Sequence, residues 1–137
     1  MILKLKHHFE AAHRLSNYIG KCKNLHGHRW ELEIEIDGDM DKETGMIIDF
    51  GLIKKLIDNR YDHAVILMNN PENEPLMKVL SSMDLKREII NAEPTAEKLV
   101  SEIYYLLYGA FYEEITKLKV KLWESPGACI EFDGNVY

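Results

Sequence analysis

The stretch from Cys22 to His28 holds a thiol and two imidazoles, the side chains of this sequence best suited to metal binding and proton transfer. His26 and His28 are two positions apart, so on a β-strand both rings would point to the same side. Neutral imidazole is a good zinc ligand, and a catalytic zinc usually has three protein ligands and one open position. A third ligand is therefore needed, and His13 is the best-placed candidate.

Two alternating segments would position these histidines. The first has an apolar phase that runs through residues 2 to 9 and, if continued through Ala11, includes His13. The second has its apolar phase at Trp30, Leu32, Ile34 and Ile36, and His26 and His28 share it. This pattern is typical of half-buried antiparallel strands. If the two strands pair, all three histidines lie on one side of the sheet.

Two helices are predicted after these strands. Asp49 has the residue type of an N-cap for a short helix, whose predicted buried stripe is Leu52, Ile53, Leu56 and Ile57. Thr95 would cap a longer helix, in which apolar residues recur at helical spacing from 96 to 111. Residues 68 to 93 are rich in Asn and Pro, and we expect irregular structure around a short helix near 75 to 82.

A hairpin is predicted at the end of the chain, with its turn at Ser125-Pro126-Gly127. Glu124 shares the phase of Leu118 and Leu122, so its carboxylate would point to the apolar face, where an unpaired charge is costly. A ligand could satisfy it. Together these elements predict a single α+β domain over residues 1–137, a four-stranded antiparallel sheet with two helices packed on one face.

Composition restricts the class of protein. The 137 residues are 46% hydrophobic and 29% charged, with no run of apolar residues long enough to span a membrane. The alternating start differs from a secretory signal, so we expect a cytoplasmic protein. Cys22 and Cys129 are the only cysteines, which gives no disulfide framework. A net charge of −6 argues against a broad nucleic-acid surface.

The motifs resemble, in chain order, those of the 6-pyruvoyl-tetrahydropterin synthase family. The matching stretches are Phe9-Glu10-Ala11-Ala12-His13, Cys22 with His26-Gly27-His28, Asp62-His63, Pro94-Thr95-Ala96-Glu97 and Glu124. The spacer of three residues between Cys22 and His26 is most similar to the carboxy-type branch of the family. The resemblance implies the tunnelling fold and a homohexamer, built as a dimer of trimers with pockets between subunits.

The resemblance also implies a metal and a base. His13, His26 and His28 would bind a catalytic Zn²⁺, although three unconnected histidines at a sheet edge would show the same residue types. Cys22 would act as general base, and the lysines on either side of it favour the thiolate form. The alternatives for Cys22 are an inert buried thiol or a fourth zinc ligand.

Four further residues receive roles from the resemblance. Asp62 and His63 would form a proton relay with the cysteine, although two adjacent residues in a loop need not touch. Glu124 would hold the pterin ring through two N–H groups, unless it is only a charged strand end. Thr95 would contact substrate, yet helix capping alone also explains it.

The implied reaction converts 7,8-dihydroneopterin triphosphate to 6-carboxy-5,6,7,8-tetrahydropterin, acetaldehyde and triphosphate, in 7-deazaguanine (queuosine) biosynthesis. One alternative is the pyruvoyl product, in which triphosphate leaves and the carbon chain stays intact. Another is a non-catalytic zinc or pterin module with a closed four-ligand site. A third branch of the family, which makes a folate precursor, has Glu at the position of Lys23, so this residue argues against that branch.

Overall fold

The computed structural model describes residues 1–135 as one mixed sheet with three α-helices. The strands are β1 (Ile2–His13), β2 (His26–Asp37), β3 (Ala64–Met68), β4 (Arg87–Ile90), β5 (Lys117–Ser125) and β6 (Ala128–Phe132). The helices are α1 (Phe50–Tyr61), α2 (Glu74–Ser82) and α3 (Ala96–Ala110). The strand order is β4-β3-β1-β2-β5-β6. None of the described helices has the length and apolar character needed to cross a membrane.

The pairing of β1 with β2 follows the predicted alternation. The two strands run antiparallel from the pair Ile2 and Asp37 to the pair His13 and His26. Their apolar side chains are buried on one face, and the opposite face is charged, as in the 3.2 Å ion pair of Lys4 with Glu35. Since side chains alternate across a strand, the histidines predicted to share a face do so, where β1 ends and β2 begins.

Helices α1 and α3 cover the apolar face and contact each other there. Asp49 caps α1 by accepting a hydrogen bond from the Gly51 amide, as predicted. The predicted stripe of α1 is only partly correct, because Leu52 is 52% exposed while Ile53 and Ile57 are fully buried. The stripe instead continues at four-residue spacing to Tyr61, which places Leu52 at its edge.

The prediction of a four-stranded antiparallel sheet is wrong in strand number and direction, although the α+β class is correct. Strand β3 lies parallel to β1, and β4 lies parallel to β3. Ile66 and Leu67 are adjacent in β3 and both fully buried, so this inner strand has no alternating pattern. Strand β4 is only four residues long. The short helix expected near 75 to 82 is α2, so the described chain has three α-helices and not only the two predicted to pack on the sheet.

Candidate metal centre and active site

Three imidazoles from two strands meet at one end of the sheet. His13 ends β1, and His26 and His28 begin β2. One ring nitrogen of each lies within 4.8 Å of those of the other two. The Trp30 indole is fully buried and contacts the rings of His13 and His28 edge-on, with centroids 5.1 and 5.3 Å apart. The packed indole therefore limits how far these two rings can turn.

Backbone carbonyls fix the tautomers of two of the rings. His13 Nδ1 lies 2.7 Å from the Pro94 carbonyl oxygen, and His26 Nδ1 lies 2.7 Å from that of Asn24. A carbonyl oxygen can only accept, so each Nδ1 carries the hydrogen and donates it. In the neutral rings each Nε2 then presents a lone pair to the centre of the group. Histidines that bind metals usually donate the hydrogen of their other ring nitrogen to such an acceptor.

The nitrogen positions fit a shared cation. His13 Nε2 and His26 Nε2 are 3.1 Å apart, and in these tautomers no hydrogen lies between them. Two nitrogens bound to one tetrahedral zinc at about 2.0–2.1 Å would lie roughly 3.3–3.4 Å apart. His28 Nε2 is buried and has no hydrogen-bond partner within residues 1–135. A metal ion would satisfy all three nitrogens, so this group could hold one.

Burial keeps two of these imidazoles in the form that binds metal. His13 is 1% exposed, and loss of solvent around its ring lowers its pKa below the ordinary value. Burial is also the main cause that lowers the pKa of His28, opposed by the nearby Glu124 carboxylate. Both rings are therefore neutral near pH 7, with a free lone pair.

Glu124 lies beside the histidines, as its strand phase predicts. Its Oε1 is 3.5 Å from His28 Nε2, which is long for a hydrogen bond, and its side chain is 34% exposed. The register of β5 with β6 is irregular between Trp123 and Ser125, so Glu124 stands at a bulge. A surface cavity of about 310 Å³ is lined by His28, Trp123, Glu124 and Pro126 among others. The carboxylate can therefore accept hydrogen bonds from a ligand near the three rings.

Cys22 lies at the same end of the sheet but outside the histidine group. It is in a short 3₁₀ turn, Lys21–Lys23, and its carbonyl accepts a hydrogen bond from the Leu15 amide. The thiol is half-buried, and the group of candidate ligand atoms in the described chain comprises the three imidazoles without it. Among the described residues the group therefore offers three candidate ligands, and Cys22 is not one of them.

Asp62 and His63 follow α1 and contact strand β1 at Glu10. Asp62 Oδ1 accepts a hydrogen bond from the Glu10 amide, and His63 Nε2 is 3.5 Å from Asp62 Oδ2. The His63 ring is 78% exposed and lines a shallow depression together with Glu10, His28 and Arg29. The pair does meet, but no hydrogen bond or ion pair within residues 1–135 joins it to the thiol or the three rings.

Thr95 caps α3, and its hydroxyl oxygen accepts a hydrogen bond from the Lys98 amide. The preceding residue supplies the carbonyl that holds His13, so the start of α3 supports the histidine group directly. Sequence reasoning did not identify the Pro94 and Asn24 carbonyls as part of the site. Both are backbone atoms, and no side-chain pattern could have revealed them.

Comparison with protein families gives one match that covers nearly all of the chain. Residues 2–135 match the family described as 6-pyruvoyl tetrahydropterin synthase. A protein of Rickettsia conorii named 6-carboxy-5,6,7,8-tetrahydropterin synthase is 36% identical over 131 residues, 90% of this chain and 93% of the relative. A protein of Haemophilus influenzae with the same name is 33% identical over 132 residues, covering 90% and 92%.

Solved structures share the fold at lower identity. An uncharacterised protein of Wolinella succinogenes superposes with a TM-score of 0.72 at 16% identity, over 98% of this chain and 99% of that one. The 6-pyruvoyl tetrahydropterin synthase of Plasmodium falciparum gives 0.68 at 17% identity, over 99% and 98%. These similarities establish the α+β architecture of the chain.

Proposed function

The chain belongs to the 6-pyruvoyl tetrahydropterin synthase family, and we propose that it is a zinc-dependent 6-carboxy-5,6,7,8-tetrahydropterin synthase. The substrates would be 7,8-dihydroneopterin triphosphate and one water molecule, and the products 6-carboxy-tetrahydropterin, acetaldehyde and triphosphate. The observation that carries this proposal is the three-histidine group, in a chain 33–36% identical to proteins of that name. The proposed setting is 7-deazaguanine (queuosine) synthesis in the cytoplasm.

His13, His26 and His28 would hold the zinc through their inward-facing nitrogens, and their number leaves room for a substrate ligand. When bound, zinc would act as a Lewis acid on the hydroxyl groups of the substrate side chain. The carbonyls of Pro94 and Asn24 keep the rings oriented before substrate arrives. The protein therefore supplies a pre-organised site and needs no rearrangement of His13 or His26.

Cys22 Sγ would remove a proton from the side chain of the substrate near C1′. Lys21 and Lys23 lie on either side of this thiol in the sequence. Thiolate and zinc have separate roles in this scheme, which agrees with the absence of Cys22 from the described ligand group. Asp62 would orient His63, whose ring would move a second proton.

Glu124 would bind the pterin ring. Two carboxylate oxygens match the paired N–H donors of the ring, and charge-assisted bonds of this kind are stronger than neutral ones. The position of Glu124 beside His28 would set the ring next to the metal, with the side chain of the substrate directed at it. Thr95, also proposed as a substrate contact, is half-buried at the start of α3.

A second copy of the chain would complete the site. Within residues 1–135 of one chain, no hydrogen bond or ion pair joins Asp62 or His63 to Cys22, although His63 and His28 line the same depression. The homohexamer implied by the resemblance would allow the pair of one subunit to meet Cys22 of another. Mixing inactive Cys22→Ala and His63→Asn proteins under reassembly conditions should then restore activity, and failure to do so would contradict the shared site.

Product analysis tests the proposed reaction. Zinc-loaded protein is incubated with 7,8-dihydroneopterin triphosphate, the pterin product is identified by mass spectrometry, and acetaldehyde is assayed separately. We expect carboxy-tetrahydropterin with an equal amount of acetaldehyde. A pyruvoyl product without acetaldehyde would instead assign the chain to triphosphate elimination alone. Absence of turnover in zinc-loaded protein would leave a non-catalytic binding protein.

A further inference from the structure

The carboxylate of Glu93 accepts three hydrogen bonds from the chain that follows β1. The Ser16 amide donates to Oε2 at 2.9 Å, the Ser16 hydroxyl to Oε1 at 2.5 Å, and the Asn17 amide to Oε1 at 3.2 Å. Ser16 is 2% exposed and its hydroxyl also accepts a hydrogen bond from Asn70 Nδ2 at 2.7 Å. The Glu93 carboxylate therefore holds the backbone at Ser16 and Asn17 through three hydrogen bonds, two of them from the buried Ser16.

These hydrogen bonds fix the backbone that orients His13. Glu93 directly precedes Pro94, whose carbonyl accepts the His13 Nδ1 hydrogen. On the other side, the Thr95 amide donates to the Glu93 carbonyl at 2.8 Å, and Thr95 caps α3. The Pro94 peptide is thus held by the Glu93 side chain before it and by the helix after it.

His13 and Ser16, which bind the Pro94 carbonyl and the Glu93 carboxylate, belong to the same short segment. Ser16 follows His13 by three residues, so the carboxylate ties the Pro94 carbonyl to the chain that carries its donor. The His13 ring is 1% exposed and has no second acceptor for Nδ1 among the described contacts. A displaced carbonyl would leave that nitrogen unpaired or let the ring turn, and Nε2 would lose its direction.

We propose that Glu93 is a positioning residue for the metal centre, which holds the Pro94 carbonyl in place and so aims His13 Nε2 at the metal. The inference rests on the proposed function for the identity of the metal. The orientation of the His13 ring can nevertheless be measured in metal-free protein, whatever the metal is. Glu93 itself touches neither substrate nor metal.

Four variants separate the geometric role of Glu93 from a loss of fold. Glu93→Ala removes all three hydrogen bonds, whereas Glu93→Gln keeps a carbonyl oxygen that can accept from Ser16. Ser16→Ala is a milder change that leaves both backbone donors in place, and it serves if Glu93→Ala does not fold. Glu72→Ala removes an exposed carboxylate elsewhere and is the matched control.

The first readout is zinc affinity, measured on the purified full-length chain by competition with a chromogenic chelator. Loss of a group that orients a metal-binding histidine typically weakens metal binding about 10–100-fold. We expect a weakening of about tenfold or more for Glu93→Ala, a smaller one for Ser16→Ala, and recovery of most of the affinity in Glu93→Gln. Glu72→Ala should bind zinc as the parent protein does.

The second readout is the ¹⁵N NMR spectrum of His13 in the metal-free protein. The parent should show a protonated Nδ1 that is protected from solvent exchange, and Glu93→Ala should lose that protection. Unchanged zinc affinity and unchanged His13 protection in a folded Glu93→Ala protein would overturn the inference while leaving the proposed function intact. If the parent protein binds no zinc, the zinc centre and the proposed function are refuted, and so is the role of Glu93 at that centre.

Discussion

Replacement of His13 by Ala should abolish the stabilisation of the protein by zinc. The change removes one of three ligands and also the donor to the buried Pro94 carbonyl. An unsatisfied buried acceptor costs about 1–3 kcal/mol, before any cost of the cavity left by the ring. The unfolding entropy is about 2.1 cal/mol/K per residue, so for 137 residues the unfolding entropy of the whole chain is roughly 0.29 kcal/mol/K. Each kcal/mol then lowers Tm by about 3.5 °C, so metal-free His13→Ala should melt roughly 4–10 °C below the parent.

The parent and His13→Ala should also differ in how much zinc raises their Tm. At a free zinc concentration one hundred times Kd, binding stabilises the parent by about 2.7 kcal/mol, which corresponds to a rise in Tm of roughly 9 °C. Differential scanning fluorimetry with and without zinc, at one protein concentration, measures both effects. His8→Ala is the control, because His8 lies on the same strand with an exposed side chain. An equal zinc-induced rise in His13→Ala and in the parent would refute the metal-site assignment.

Three further predictions address the remaining residues. Cys22→Ala should lower turnover by about 10²–10⁴-fold, the usual contribution of a general base, with zinc content unchanged by metal analysis; loss of zinc would show that Cys22 is a ligand. His63→Asn should lower turnover and leave zinc affinity unchanged. The substitution should not disturb the fold, because the ring is 78% exposed and Asn tolerates the positive φ of 61° at this position. Full activity would exclude a catalytic role of His63. Thr95→Ala should cost about 1 kcal/mol of stability through loss of the α3 cap, whereas Thr95→Ser should not, and equal melting temperatures for the two variants would contradict the cap.

The part of the fold that carries the metal site could be predicted from the sequence because it rests on period-two patterns. The phases of Phe9 and Trp30 fix which face of β1 and β2 is buried, and the histidines follow from them. Glu124 could be placed in the same way. A one-residue error in any of these phases would have moved a side chain to the opposite face.

Other features left no such signal. Strand β3 is buried on both faces at Ile66 and Leu67, so it lacks alternation, and β4 is too short to show one. The adjacency of Asp62 and His63 in the sequence does not determine which face of the sheet they occupy, and His63 has a left-handed backbone conformation that ordinary strand phase does not describe. The carbonyl that orients His13 belongs to a residue distant in sequence, and only the packed fold brings the two together.

X-ray absorption at the zinc edge tests the central claim most directly. Protein loaded with one zinc per chain should show nitrogen neighbours at about 2.0–2.1 Å with the multiple-scattering pattern of three imidazoles, and a light atom in the open position. Substitution of His13 should remove one imidazole from that pattern. A sulfur neighbour at about 2.3 Å would place Cys22 on the metal, and the separate roles of thiol and zinc would have to be abandoned.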